Sequence, residues 1–101
     1  MLHIILFEDS PTADPNIRSR HMQEHLAFLE RNSTCIQAAG PLLDADGALK
    51  GGLWLVDVSV ASEADRLVRQ DPFWTTGLRL SYSVLRWKQV FAGGRRLTDT
   101  G

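Results

Sequence analysis

LHIILFE, residues 2–8, is the stretch whose reading decides the fold. It is short and apolar, and Asp9, Ser10 and Pro11 bound it, the pattern of a strand running into a turn. Side chains alternate across a strand, so Leu2, Ile4 and Leu6 share one face and His3, Ile5 and Phe7 the other. Both faces are largely apolar, which a strand with one side in water does not require. The segment predicts a sheet covered on both sides.

Downstream, Asp14-Pro15 offers an N-cap and a first helical residue. At about 100° per residue, Ile17, His21, Met22, His25, Phe28 and Leu29 gather in one arc of a helix reaching Arg31. Ser19, Arg20, Gln23, Glu24, Glu30 and Arg31 fall outside it. His25 sits near the middle of the apolar arc, with His21 beside it. Asn32-Ser33 ends the helix, and Thr34 to Leu43 reads as a second strand interrupted at Gly40-Pro41. GLWLVDVSV, 52–60, is a third strand, and the turn residues Asp44 to Gly47 make the two a long-looped hairpin. In that strand Trp54, Val56, Val58 and Val60 alternate with Leu53, Leu55, Asp57 and Ser59.

Ser62 and Asp65 have the spacing of a capping box, and Ala64, Leu67 and Val68 give the buried side of a second helix ending near Gln70. Asp71 precedes Pro72 and is driven out of the helical region. Phe73, Trp74 and Gly77 form an aromatic turn before a last strand, Leu78 to Phe91. Residues 92–101 have little to bury and read as a flexible tail after a single domain, 1–91. Strand, helix, strand, strand, helix, strand is the ferredoxin-like βαββαβ plan: an α+β fold whose antiparallel sheet carries two helices on one face. Apolar residues on the bare face would leave a patch larger than monomers tolerate, so the expectation is a homodimer with sheets packed face to face.

The 101 residues allow one core, and 11 Lys plus Arg against 12 Asp plus Glu create no field favouring nucleic acid or an anionic membrane. Cys35 is the single cysteine, which excludes an internal disulfide and thiolate-rich zinc sites and suits a cytoplasmic setting. The apolar run Ile4 to Phe7 has no basic flank or cleavage site, so it does not read as a signal peptide, and no stretch has membrane-spanning length.

His21 and His25 have the i, i+4 spacing that sets two imidazoles on one helix face. A catalytic metal wants a third protein ligand, and neither HExxH nor a cysteine cluster supplies one. The plain alternative for His25 is a half-buried side chain bonded to a backbone carbonyl. Asp71 has its own plain reading as the cap of a helical turn begun by Pro72; its functional reading is a carboxylate that orients an imidazole. Gly40-Pro41 marks a bend or a close approach to a ligand. Trp54, Phe73 and Trp74 read as core or pocket wall, since no Lys or Arg is interleaved with them as in a base-stacking platform.

HLAFL at 25–29, AAGPLLDADG at 38–47, and SEADRLVRQDPFWTTGL at 62–78 followed by VLRW at 84–87 resemble the YCII (YciI-like) family, over nearly the whole chain from 2 to 91. The resemblance implies a dimeric α+β barrel and an active site of one histidine and one aspartate, which map onto His25 and Asp71. It further implies proton-transfer chemistry on small ring compounds, of the dehydrochlorinase or isomerase kind, with no cofactor and no metal. His21, one turn from His25, competes for the role; the HL-x-FL match selects His25. The pocket expected around the pair comprises His21, Gly40, Pro41, Trp54, Phe73 and Trp74. Two other classes stay open: a non-catalytic ligand-binding or regulatory domain, and an accessory partner of another enzyme.

Overall fold

The computed structural model describes residues 1–99. Its main sheet is formed by β1 (Leu2–Asp9), β2 (Ile36–Leu43), β3 (Leu49–Asp57) and β4 (Arg79–Arg86), in the order β2-β3-β1-β4 with every neighbouring pair antiparallel. Helices α1 (Ile17–Arg31) and α2 (Ala61–Gln70), with the single turn α3 (Pro72–Thr75), complete the ferredoxin-like α+β plan.

β1 lies at the centre, and its alternation divides the molecule. Ile5 faces Trp54 and Val84 in register, and His3, Ile5 and Phe7 are all buried under the helices. The core there joins Ile5, Phe7, Phe28, Trp54, Val56 and Leu67, with the Phe7 and Trp54 rings edge to face at 5.1 Å. On the opposite side Ile4 pairs with Leu55 and Leu85, and Leu6 with Leu53. No helix covers that face, where Leu85 is 51% and Leu6 38% exposed.

Several boundaries differ from the sequence expectation. Asp14 does not cap α1: its Oδ1 accepts from the Asn16 backbone N–H at 2.9 Å and its carbonyl from that of Ile17, closing a turn that delays the helix to Ile17. The capping box at Ser62 is not formed. Val60 holds the cap position of α2, and Asp65 accepts the Tyr82 hydroxyl at 2.8 Å instead. β3 begins at Leu49 and ends at Asp57, so Val58 and Val60 lie beyond it.

β4 stops at Arg86, opposite His3, and the Trp87 N–H makes one further bond, to the Leu2 carbonyl at the first residue of β1. The segment expected to be a tail instead turns back on itself. β5 (Phe91–Ala92) pairs with β6 (Arg95–Arg96) across Gly93-Gly94, both at positive φ as a tight hairpin turn of the twisted kind requires. Residues 100–101 of the expected tail lie outside the described residues. Among the described residues no helix is long and apolar enough to cross a membrane.

Candidate functional site

Pro72 cannot continue α2 and forces Asp71 into extended backbone, φ −71° and ψ 132°. The Asp71 side chain then caps α3, its Oδ1 accepting from the Phe73 backbone N–H at 3.2 Å. The same oxygen meets the imidazole of His25, whose Nδ1 lies 2.7 Å away. Capping and imidazole orientation are therefore not rival readings of Asp71; one oxygen does both. A carboxylate only accepts, so Nδ1 carries the hydrogen and Nε2 keeps the lone pair in the neutral ring.

Both groups are buried, Asp71 to 1% exposure and His25 to 7%. The His25 ring stacks on Phe73 with centroids 4.0 Å apart and planes inclined by 13°. Aspartate below and a phenyl face beside it hold the imidazole in one orientation, where a lone surface histidine would sample several. Asp71 Oδ2 is buried without a hydrogen-bond partner. An orphaned carboxylate oxygen costs stability, and such exceptions concentrate at working sites.

His25 lines a cavity of about 180 Å³, below the roughly 300–1,000 Å³ of drug-sized pockets and suited to a single ring. α1 contributes the stripe Arg18, Met22, His25, Leu26 and Leu29 at helical spacing; β2 contributes Ala39, Gly40 and Pro41; Leu49, Trp54, Phe73 and Arg79 close it. Register shifts on either side of Ala38–Pro41 bend β2 along this wall, as Gly40-Pro41 led one to expect.

At one end, Asp9 at the close of β1 binds two arginines. Its Oδ1 accepts from Arg79 Nη1 at 2.6 Å and its Oδ2 from Arg18 Nη2 at 2.7 Å. The Arg79 side chain is only 4% exposed, and its guanidinium lies 4.6 Å from the Phe7 ring centroid. Gly52 makes the space: a Cβ there would stand 3.1 Å from both terminal nitrogens of Arg79. Burial lowers the Arg79 pKa; the hydrogen bond and charge of Asp9 oppose it, Arg18 adds to the lowering, and Asp71 opposes it more weakly.

Of the residues expected around the pair, Gly40, Pro41, Trp54 and Phe73 line the cavity with His25. His21 and Trp74 do not. His21, half-buried, lies 3.3 Å from the exposed Glu24, and Trp74 packs edge to face on Tyr82 at 5.1 Å. His3, four residues or about 13 Å of strand before Phe7, points under the helices with Nδ1 at 3.2 Å from the Met1 carbonyl oxygen. Among the described residues no group of three or more His, Cys, Asp or Glu is placed to hold a metal. Sequence reasoning missed Asp9, Arg18 and Arg79. The available signal was the i, i+4, i+7 relation of Arg18, Met22 and His25, which puts an arginine on the histidine's face.

Fold and site together define a small α+β domain whose helix-covered sheet face carries a buried imidazole–carboxylate pair at a ring-sized cavity. The chain belongs to the YCII-related domain family, whose model matches residues 1–88. It is similar to the 5-chloro-2-hydroxyhydroquinone dehydrochlorinase TftG of Burkholderia phenoliruptrix AC1100, solved in complex with 2,5-dihydroxybenzoquinone: 32% identity, a TM-score of 0.72, and coverage of 87% of this chain and 94% of that one. It is also similar to the Arabidopsis thaliana protein At3g17210, at 10% identity and a TM-score of 0.47, over 91% of this chain and 97% of that one. No curated protein matches.

Proposed function

We propose that the protein is an acid–base enzyme of the dehydrochlorinase or isomerase kind, acting on a small cyclic substrate through His25 and Asp71. Loss of HCl from a chlorinated hydroxyquinol goes through the keto tautomer, in which a hydroxyl proton has moved to the chlorine-bearing ring carbon; removal of a second hydroxyl proton then drives chloride out with the C–Cl electron pair and leaves the quinone. His25 Nε2 takes the proton, and Asp71 fixes the tautomer and balances the imidazolium that forms. Trp54, Phe73 and the aliphatic wall exclude water. No metal or organic cofactor has a part in these steps. The observation that carries the reading is the buried 2.7 Å contact between the two side chains at the wall of the cavity. Likeness to a dehydrochlorinase at 32% identity supports the reaction class.

The test is chloride release and ring-product formation from a panel of chlorinated hydroquinones and lactones. Turnover should fall about 10²–10⁴-fold in His25→Ala, and by a similar order in Asp71→Asn. Turnover unchanged in both variants would remove the pair from the mechanism, whereas wild-type binding of panel members with no turnover would make the domain a ligand sensor.

We propose further that two copies pack through the bare sheet face. Leu2, Ile4, Leu6, Leu53, Leu55 and Leu85 form a contiguous aliphatic surface on the three strands β1, β3 and β4, the composition of a core cut in half. Sedimentation should give a mass near twice 11.3 kDa; a monomer at micromolar concentration would overturn this assembly. The single cysteine suits a reducing, cytoplasmic setting.

A further inference from the structure

Two guanidiniums at the cavity share one carboxylate. Arg18 and Arg79 both line it, and Asp9 alone bonds to them, one oxygen to each. The other nearby carboxylate, Asp71, is committed by its hydrogen bonds to His25 and the Phe73 N–H. The Asp9–Arg18–Arg79 triad carries two positive charges against one negative, with the carboxylate of Asp71 nearby but bonded to neither arginine. Within it Arg79 is almost wholly covered, and its Nε has no partner among the described residues, while Arg18 and Asp9 are 21% and 23% exposed. A covered guanidinium nitrogen without an acceptor is costly until one meets it.

We propose that this triad is an anion-recognition element, and that the guest of the cavity carries an ionised oxygen, either an acidic ring hydroxyl or a carboxylate, held by Arg18 and Arg79. Arg18, 21% exposed, is the guanidinium a guest reaches first; Asp9 and the faces of Phe7 and Phe73 fix both arginines. The guest's oxygen accepts charge-assisted hydrogen bonds from the two guanidiniums. Its ring then lies between the arginines and the imidazole of His25, which line the same cavity. This deepens the proposed function by giving its substrate class, and rests on that reading only for the use made of the bound guest.

Calorimetric titration tests it with two matched pairs: 2,5-dihydroxybenzoquinone against its neutral dimethyl ether, and benzoate against benzamide. The wild type should prefer the anion in at least one pair by on the order of ten- to a hundredfold. The pair with the larger preference tells ring oxygen from carboxylate. Arg18→Gln should erase most of that preference, and Arg18→Lys should restore part of it. His25→Ala should keep the preference while losing turnover, so a failed dyad and a failed anion site give different results. Equal affinity within both pairs, no binding of any of the four probes by the wild type, or an undiminished preference in Arg18→Gln would each overturn the proposal.

Discussion

The two faces of one sheet are apolar for different reasons. Toward the helices, β1 presents His3, Ile5 and Phe7, and the apolar residues surround the buried polar groups found among the described residues: His3, His25, Asp71 and Arg79. Away from them it presents Leu2, Ile4 and Leu6 beside Leu53, Leu55 and Leu85, with Ser83 opposite Leu6 and charge only at the ends of the face, where Asp57 pairs with Leu2 and Glu8 with Ser81. The first face is a packed core opened at one end as a cavity. The second is an aliphatic surface left bare by the helices. An apolar strand pattern says that a face is buried; only the polar residues embedded in it say whether the burial serves a reaction.

Paired substitutions on adjacent residues break this comparison most sharply. Ile5→Asp puts an unpaired charge at a fully buried position and should cost several kcal/mol, enough to prevent folding of a domain of this size. Ile4→Asp, one residue away on the other face, should leave a folded monomer. Circular dichroism and sedimentation read the two outcomes, and an unfolded Ile4→Asp chain would mean that the outer face belongs to the core.

A smaller change sharpens the difference within the helix-covered face. Gly52→Ala forces a methyl against the Arg79 guanidinium and should cost about 1–3 kcal/mol in thermal or urea unfolding. Anion affinity should fall with it, because the arginine must shift. A Gly52→Ala protein of unchanged stability and binding would show that the arginine has room to spare.

The smallest effect concerns Tyr82, whose hydroxyl donates to Asp65 on that same face. Burial first, then the hydrogen bond and charge of Asp65, raise its pKa above 10.0. Raising the pKa of an acid means that folding favours the neutral phenol, so the stabilisation is complete below the unfolded value and is lost as pH climbs through the folded one. Tyr82→Phe should therefore lose about 1 kcal/mol near neutral pH. The gap to wild type should close above about pH 10; a gap constant into the alkaline range would remove Asp65 as its cause.

Much of the fold was legible because it rests on alternation and punctuation. β1 showed both of its faces in seven residues, and Pro72 marked the break that delivers Asp71. His25 stood out as a polar residue at the centre of an apolar arc. The ends of elements were less legible, since capping is decided by competing partners: Asp14 spent its side chain on Asn16, and Asp65 on Tyr82. β4 was overestimated because its length is set by β1, seventy-odd residues earlier in the chain. Asp9, Arg18 and Arg79 escaped notice for a related reason. Each reads alone as a surface charge, and only the fold brings Asp9 beside an arginine seventy residues away.

The central claim is that His25, and no other histidine, meets the guest through a nitrogen left free by Asp71. Nitrogen NMR of the three imidazoles, recorded while 2,5-dihydroxybenzoquinone is added, tests it most directly. The expected result is an Nδ1–H of His25 held by Asp71, with the Nε2 signal of His25 moving on binding and those of His3 and His21 staying in place. A His25 signal indifferent to saturating ligand, or a response from His21 in its stead, would contradict it.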